Sequence, residues 1–234
     1  MRLPALTELT PRQQEVSDKI AAKRGATRGP FLIWLRSPEL AEKVDELGAY
    51  CRFQSAVNER LRELSLLIAA RHFDAQYSWN AHHQKAIEAG VSAESLKELA
   101  SNEVPHFAHA DEQLLYTLAT QILRDHFVDQ RTFDAALGEW GEAGLVDVIG
   151  CLGNFSMLAM LLNTFQVDLK LGDEPPFPDI RGFAKVNTPR ILRFVHGRRA
   201  VDNRSRSETP VSFPGSYVVP TVTPKPWLPA GRRA

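Results

Sequence analysis

The chain has 234 residues, 44% of them hydrophobic and 24% charged, with 28 basic and 28 acidic side chains. These proportions are ordinary for a soluble globular protein, and two widely separated cysteines, Cys51 and Cys151, exclude a disulfide framework or a zinc-binding cysteine cluster. The zero net charge divides unevenly: residues 181–234 carry 11 Lys/Arg against 2 Asp/Glu, and residues 1–180 carry 17 against 26. A basic tail therefore follows an acidic body.

In chain order, "MRLPALTELTPRQQEV" lacks the apolar core of a secretion signal, so the expected compartment is the cytoplasm. Thr10 is a helix N-cap with Pro11 in the first helical position, and that helix stops near Gly25. Residues 1–27 are read as an N-terminal helical extension. "TRGPFLIWLRSPEL" breaks the pattern, and Ser37-Pro38 restarts it with "ELAEKVDELGAYCRF". Asn58 caps "ERLRELSLLIAARHF", whose Leu61, Leu64, Leu67 and Ile68 share a face. "AQYSWNAHHQKAIEAG" is the next helix, with Gly90 just past its C-terminus.

Ser92 opens a shorter helix, "DEQLLYTLATQILRDHF" is amphipathic, and Asp129 caps "QRTFDAALGEWG". The last helix is expected from about Gly144 to Leu169. It is apolar nearly all round, so more than one neighbour must cover it. It is long enough to cross a bilayer, but Asp147 and Asn154 interrupt it. A charge at the centre of a membrane helix costs roughly 3 kcal/mol, so the helix is read as a core or interface element and no membrane partner is expected.

No strand alternation appears before residue 180. The expected fold class is all-α, a helical bundle over residues 28–180 with a disordered basic tail over 181–234. Seven of the fifteen prolines fall in residues 189–234, and such a composition buries too little apolar surface to offset ordering entropy. The tail's arginines attract polyanions, but no base-reading motif accompanies them, so nucleic acid is not an expected partner.

The chemistry concentrates in "AQYSWNAHHQKAIEAG". Adjacent helical residues diverge by about 100°, so His82 and His83 do not suit one metal. His106, His109 and Asp111 sit where capping residues are common, so no metal and no cofactor is expected. Ala75, Ser78, Trp79, His82 and Ala86 share one stripe. From the residues alone His82 reads first as a satisfied core histidine, with a pocket as the alternative because small residues beside it leave room; His83 turns away and is expected to be exposed.

The stretch "RELSLLIAARHFDAQYSWNAHHQKAIEAGVS" resembles the signature region of the carboxymuconolactone decarboxylase and AhpD-like family. Arg62-Glu63, then Tyr77-Ser78-Trp79, then His82 with Ala86 and Ala89-Gly90 occur in the family's order. "RGPFLIWLRSPELAEKVDELGAYCRF" and "GLVDVIGCLGNFSMLAMLLNTFQVDL" resemble its opening segment and closing helix. The resemblance implies an AhpD-like bundle and a homotrimer or homohexamer. The peroxidase-type branch places a Cys-x-x-Cys pair seven and four residues before the histidine, where this chain has Ala75 and Ser78. Thiol–disulfide exchange needs those thiols, so that activity is not expected. The other branch commonly has a glutamate where Ser78 stands.

The decarboxylase branch implies a cofactor-free carboxy-lyase acting on a small carboxylic acid or lactone, as in aromatic-compound catabolism. His82 and Glu63 are then the catalytic candidates, since an imidazole titrates near neutral pH and can deliver a proton. Trp79 and Tyr77 are candidate pocket walls. Arg62, Arg71 and Arg52 are candidate carboxylate partners through their bidentate guanidinium geometry. The alternative expectation is a non-catalytic binding or scaffold protein of the same fold.

Overall fold

The structure is a computed structural model describing residues 2–170 and 172–178. The expected tail, 181–234, lies outside the described residues. The first helix, α1 (Pro11–Arg24), starts where its caps dictate: Thr10 Oγ1 accepts from the Gln13 N–H at 3.3 Å, and Gln13 Oε1 accepts from the Thr10 N–H at 2.9 Å. Its Val16 and Ile20 pack with Ile33, Trp34, Leu35, Ala41, Val44 and Leu161. At its end Lys23 Nζ and Arg24 Nε bind Asp45 at 2.9 and 2.6 Å. Asp45 is almost completely buried, so these cations neutralise a charge that would be costly alone. The segment expected to be an extension is thus packed onto the bundle.

The broken stretch contains one helical turn, α2 (Phe31–Trp34), and α3 (Pro38–Phe53) follows. Asn58 Oδ1 accepts from the Leu61 N–H at 2.9 Å and opens α4 (Glu59–His72). α4 is buried from Glu63 to Ala70 without a break, because α3, α5, α6, α7 and α8 all pack on it. The chain leaves α4 through Asp74 in the left-handed region, φ 51°. The Asp74 N–H bonds Arg71 O at 3.1 Å and the Ala75 N–H bonds Ala70 O at 2.7 Å, a Schellman closure. This short turn makes α4 and α5 (Gln76–Glu88) a helical hairpin.

α5 ends as its sequence suggests. Gly90 has φ 104°, and the Val91 N–H reaches back to Ala86 O at 2.9 Å. α6 (Ala93–Ala100) and α7 (Ala110–Thr120) follow, and α7 runs into a π-helical turn, Gln121–Asp125. Gln121 then grips the next N-cap: its Nε2–H donates to Asp129 Oδ2 at 2.6 Å, and its Oε1 accepts from the Asp129 N–H at 3.1 Å.

α8 (Gln130–Thr164) unites the last two expected helices across a break at Gly141, with φ 65° and ψ 177°. That backbone region is essentially closed to residues with a Cβ. α8 stops at Thr164, short of the expected Leu169. The Gln166 N–H bonds Asn163 O at 3.2 Å and the Val167 N–H bonds Leu162 O at 3.0 Å, with Gln166 at φ 50°; a Schellman closure on a glutamine ends it without glycine. α8 is long and apolar enough to span a membrane by length and composition, yet it packs on α3, α4, α5 and α7. Among the described residues there is no strand.

Candidate functional site

The α4–α5 hairpin brings together two residues that sequence places nineteen apart. His82 Nδ1 lies 2.6 Å from Glu63 Oε2. Glu63 is 5% exposed. Burial opposes its ionisation, but the His82 hydrogen bond and the positive charges of His82, Lys85 and Arg52 outweigh it, so the carboxyl titrates below an ordinary glutamate. An ionised carboxylate only accepts hydrogen bonds. The Nδ1–H of His82 must therefore donate, which leaves Nε2 as the ring nitrogen for chemistry.

His82 and Glu63 line a cavity of about 90 Å³. Its basic wall is Arg24 from α1, Arg52 from α3 and Arg62 from α4; its other walls include Trp34, Phe155 and Asn154. Arg24 is held by Asp45 and lies 4.8 Å over the Phe31 ring. Arg52 and Arg62 form no ion pair with a carboxylate among the described residues. The Arg62 Nη1–H donates to Val57 O at 3.3 Å, and its Nε is buried without a partner. An arginine-rich wall beside a hydrogen-bonded imidazole suits a small anion that undergoes proton transfer.

The other candidates are placed elsewhere. Arg71 donates from Nε to Ala100 O at 2.8 Å, pairs with Asp74, and lies 4.8 Å over the Phe177 ring. Its donors close helix ends, so it lies off the cavity lining. Trp79 is buried edge-on to Phe177 at 5.6 Å. Tyr77 is half-buried beside Gly29, where a Cβ would fall 2.6 Å from its Oη, and burial raises its phenol pKa. Neither ring lines the cavity: Trp79 shares the His82 stripe but packs against Phe177, and Tyr77 projects from another face of α5. His83, expected to be exposed, is half-buried and stacked on Trp79 at 5.9 Å, and burial lowers its pKa. The two thiols are both buried. Cys151 Sγ lies 3.8 Å from Cys51 O and 3.8 Å from Ser55 Oγ; the hydrogen bond to Cys151 and burial together hold Cys51 in the thiol form.

Two cavity residues escaped sequence reasoning. Asn154 carried a signal, a lone amide in an apolar run. Arg24 carried none, because only the packing of α1 brings it near.

Among the described residues the chain is thus an all-helical bundle with a part-buried Glu–His pair at an arginine-lined cavity. Residues 38–120 match the carboxymuconolactone decarboxylase family model. The match spans α3 to α7, including Arg52, Arg62, Glu63 and His82 but neither Arg24 nor Asn154. The fold is similar to that of an uncharacterized peroxidase-related protein from Silicibacter sp. TM1040, with a TM-score of 0.58 and 13% identity over 71% of this chain and 88% of that one. No functionally curated protein matches the chain.

Proposed function

We propose that this protein is a cofactor-free carboxy-lyase acting on a small carboxylic acid or lactone, with His82 as proton donor and Glu63 as the residue that positions it. The observation that carries the reading is the part-buried Glu63–His82 hydrogen bond, 2.6 Å long, on the wall of a cavity lined by Arg24, Arg52 and Arg62. The arginines receive the substrate carboxylate, and Glu63 fixes the ring and its tautomer. The bond to the carboxyl carbon breaks, CO2 leaves, and His82 Nε2–H protonates the carbon left behind. A proton taken up from solvent then restores His82, one for each CO2 released.

The peroxidase-related name of the structural neighbour is not carried over. Ala75 and Ser78 stand where a thiol pair would act, and Cys51 and Cys151 are both buried. We also assign the protein to the cytoplasm and to aromatic-compound or related acid catabolism on the family's account.

The test is CO2 release from a panel of small keto acids and carboxylated lactones. His82→Ala should abolish turnover and leave the circular dichroism spectrum and melting temperature close to wild type. Turnover that survives His82→Ala, or silence of the wild type across the panel, sinks the reading; ligand-induced stabilisation without product would then support a binding protein of the same fold.

A further inference from the structure

Asn154 stands in the middle of "CLGNFSMLAMLL", where helical neighbours are apolar. It is 9% exposed and lines the cavity, yet its side-chain amide has no hydrogen-bond partner among the described residues. The amide is not sealed in like the Arg62 Nε beside it; it is open to the cavity and free to bond what enters there. A leucine or methionine, as at Met157 and Leu158 on the same wall, would suit the packing better. An amide kept in that position is explained by a group that occupies the cavity and bonds to it.

The surrounding chemistry narrows that group. Arg52 and Arg62 offer positive charge without a carboxylate partner, so the ligand's carboxylate has its receptors already. Asn154 is neutral and donates through its NH2. It therefore suits a second, uncharged oxygen of the same molecule. The cavity, about 90 Å³, is far below the several hundred Å³ of pockets for drug-sized ligands. One small molecule would touch the arginines, His82 and Asn154 together.

We propose that Asn154 is a catalytic residue that donates a hydrogen bond to a substrate carbonyl, and that the substrate is a small acid with that carbonyl β to its carboxylate. This rests on the carboxy-lyase reading. When the bond between the carboxylate and the α-carbon breaks, CO2 leaves and the electron pair moves into a new C=C bond, placing negative charge on the carbonyl oxygen. Asn154 Nδ2–H stabilises that enolate oxygen. His82 Nε2–H then protonates the α-carbon, the carbonyl re-forms, and His82 takes up one proton from solvent for each CO2 released.

The experiment compares acetoacetate with butyrate, which has the same carboxylate and no carbonyl, by calorimetry and thermal shift on the full chain. Wild type should bind acetoacetate about tenfold more tightly, the size of one hydrogen bond. Asn154→Leu should equalise the two acids and keep or raise the melting temperature of the ligand-free protein. A purely structural amide would instead lower that temperature. Asn154→Ala repeats the comparison if the leucine variant does not fold. The proposal is overturned if wild type binds both acids equally or binds neither, or if the preference survives both substitutions. Failure of the lyase reading has a separate signature: wild type prefers acetoacetate through Asn154 but releases no CO2.

Discussion

Glu63 shows how a buried carboxylate is kept ionised by its neighbours rather than by water. Its folded pKa lies below the ordinary 4.5, so its stabilising contribution is complete above that pH and is lost as pH falls through the lower, folded value. Glu63→Gln should flatten the acid limb of the melting-temperature curve below pH 4.5 relative to wild type. It should also lower kcat by about a hundredfold, the lower end of general acid–base contributions, measured as CO2 release. His83 behaves differently. Burial against Trp79 lowers its pKa from 6.5, so as pH falls the unfolded chain takes up the proton first. Stability from this residue is full above pH 6.5 and declines as pH drops through the folded value. His83→Gln should remove that slope in a pH series of thermal melts without altering turnover at neutral pH, since the ring is turned from His82 by the helical period. An unchanged slope would contradict the placement.

At the scale of elements, the α4–α5 hairpin and the break in α8 decide the geometry. The hairpin depends on a left-handed Asp74 and delivers His82 to Glu63. The break depends on Gly141, whose φ 65°, ψ 177° combination excludes side chains. A Cβ there would meet nothing within 4 Å, so any penalty comes from the backbone alone. Gly141→Ala should therefore destabilise by about 1–3 kcal/mol, read as a lower denaturant midpoint with the same slope. A neutral result would mean that the two halves of α8 can join continuously. Both helix starts and stops were readable beforehand from Thr10, Asn58, Gly90 and Asp129, because capping is local chemistry. The end at Gln166 was not, since a non-glycine left-handed residue leaves no compositional mark.

For the whole molecule, α8 carries exposed apolar surface. Val146 is 70% exposed and Ile149 and Met160 lie on the same helix, also exposed. Gly150 and Gly153 on that helix have open space beside them. Burying a stripe of this kind stabilises association by roughly 25 cal/mol per Å², and small residues permit close approach of two helices. The proposed homotrimer or homohexamer would use it. Light scattering at micromolar concentration should report an oligomer, and Ile149→Glu should shift it toward monomer while the helical signal persists. A wild-type monomer would remove the proposal.

By itself the sequence determined the all-helical class, most helix boundaries, the stripe that carries His82, and the absence of a thiol pair at Ala75 and Ser78. These follow from periodicity and capping, which act over one or two turns. The tertiary structure decided which side chains share a cavity. Glu63 reaches His82 only through the hairpin, Arg24 arrives only because Asp45 anchors α1, and Asn154 arrives only because α8 crosses α4. Tyr77, Trp79 and Arg71 looked equivalent to the cavity residues along the chain, yet packing placed them around Gly29 and Phe177. Helical spacing sets which way a residue faces on its own helix; what it faces is set by the burial of apolar surface between helices far apart in sequence.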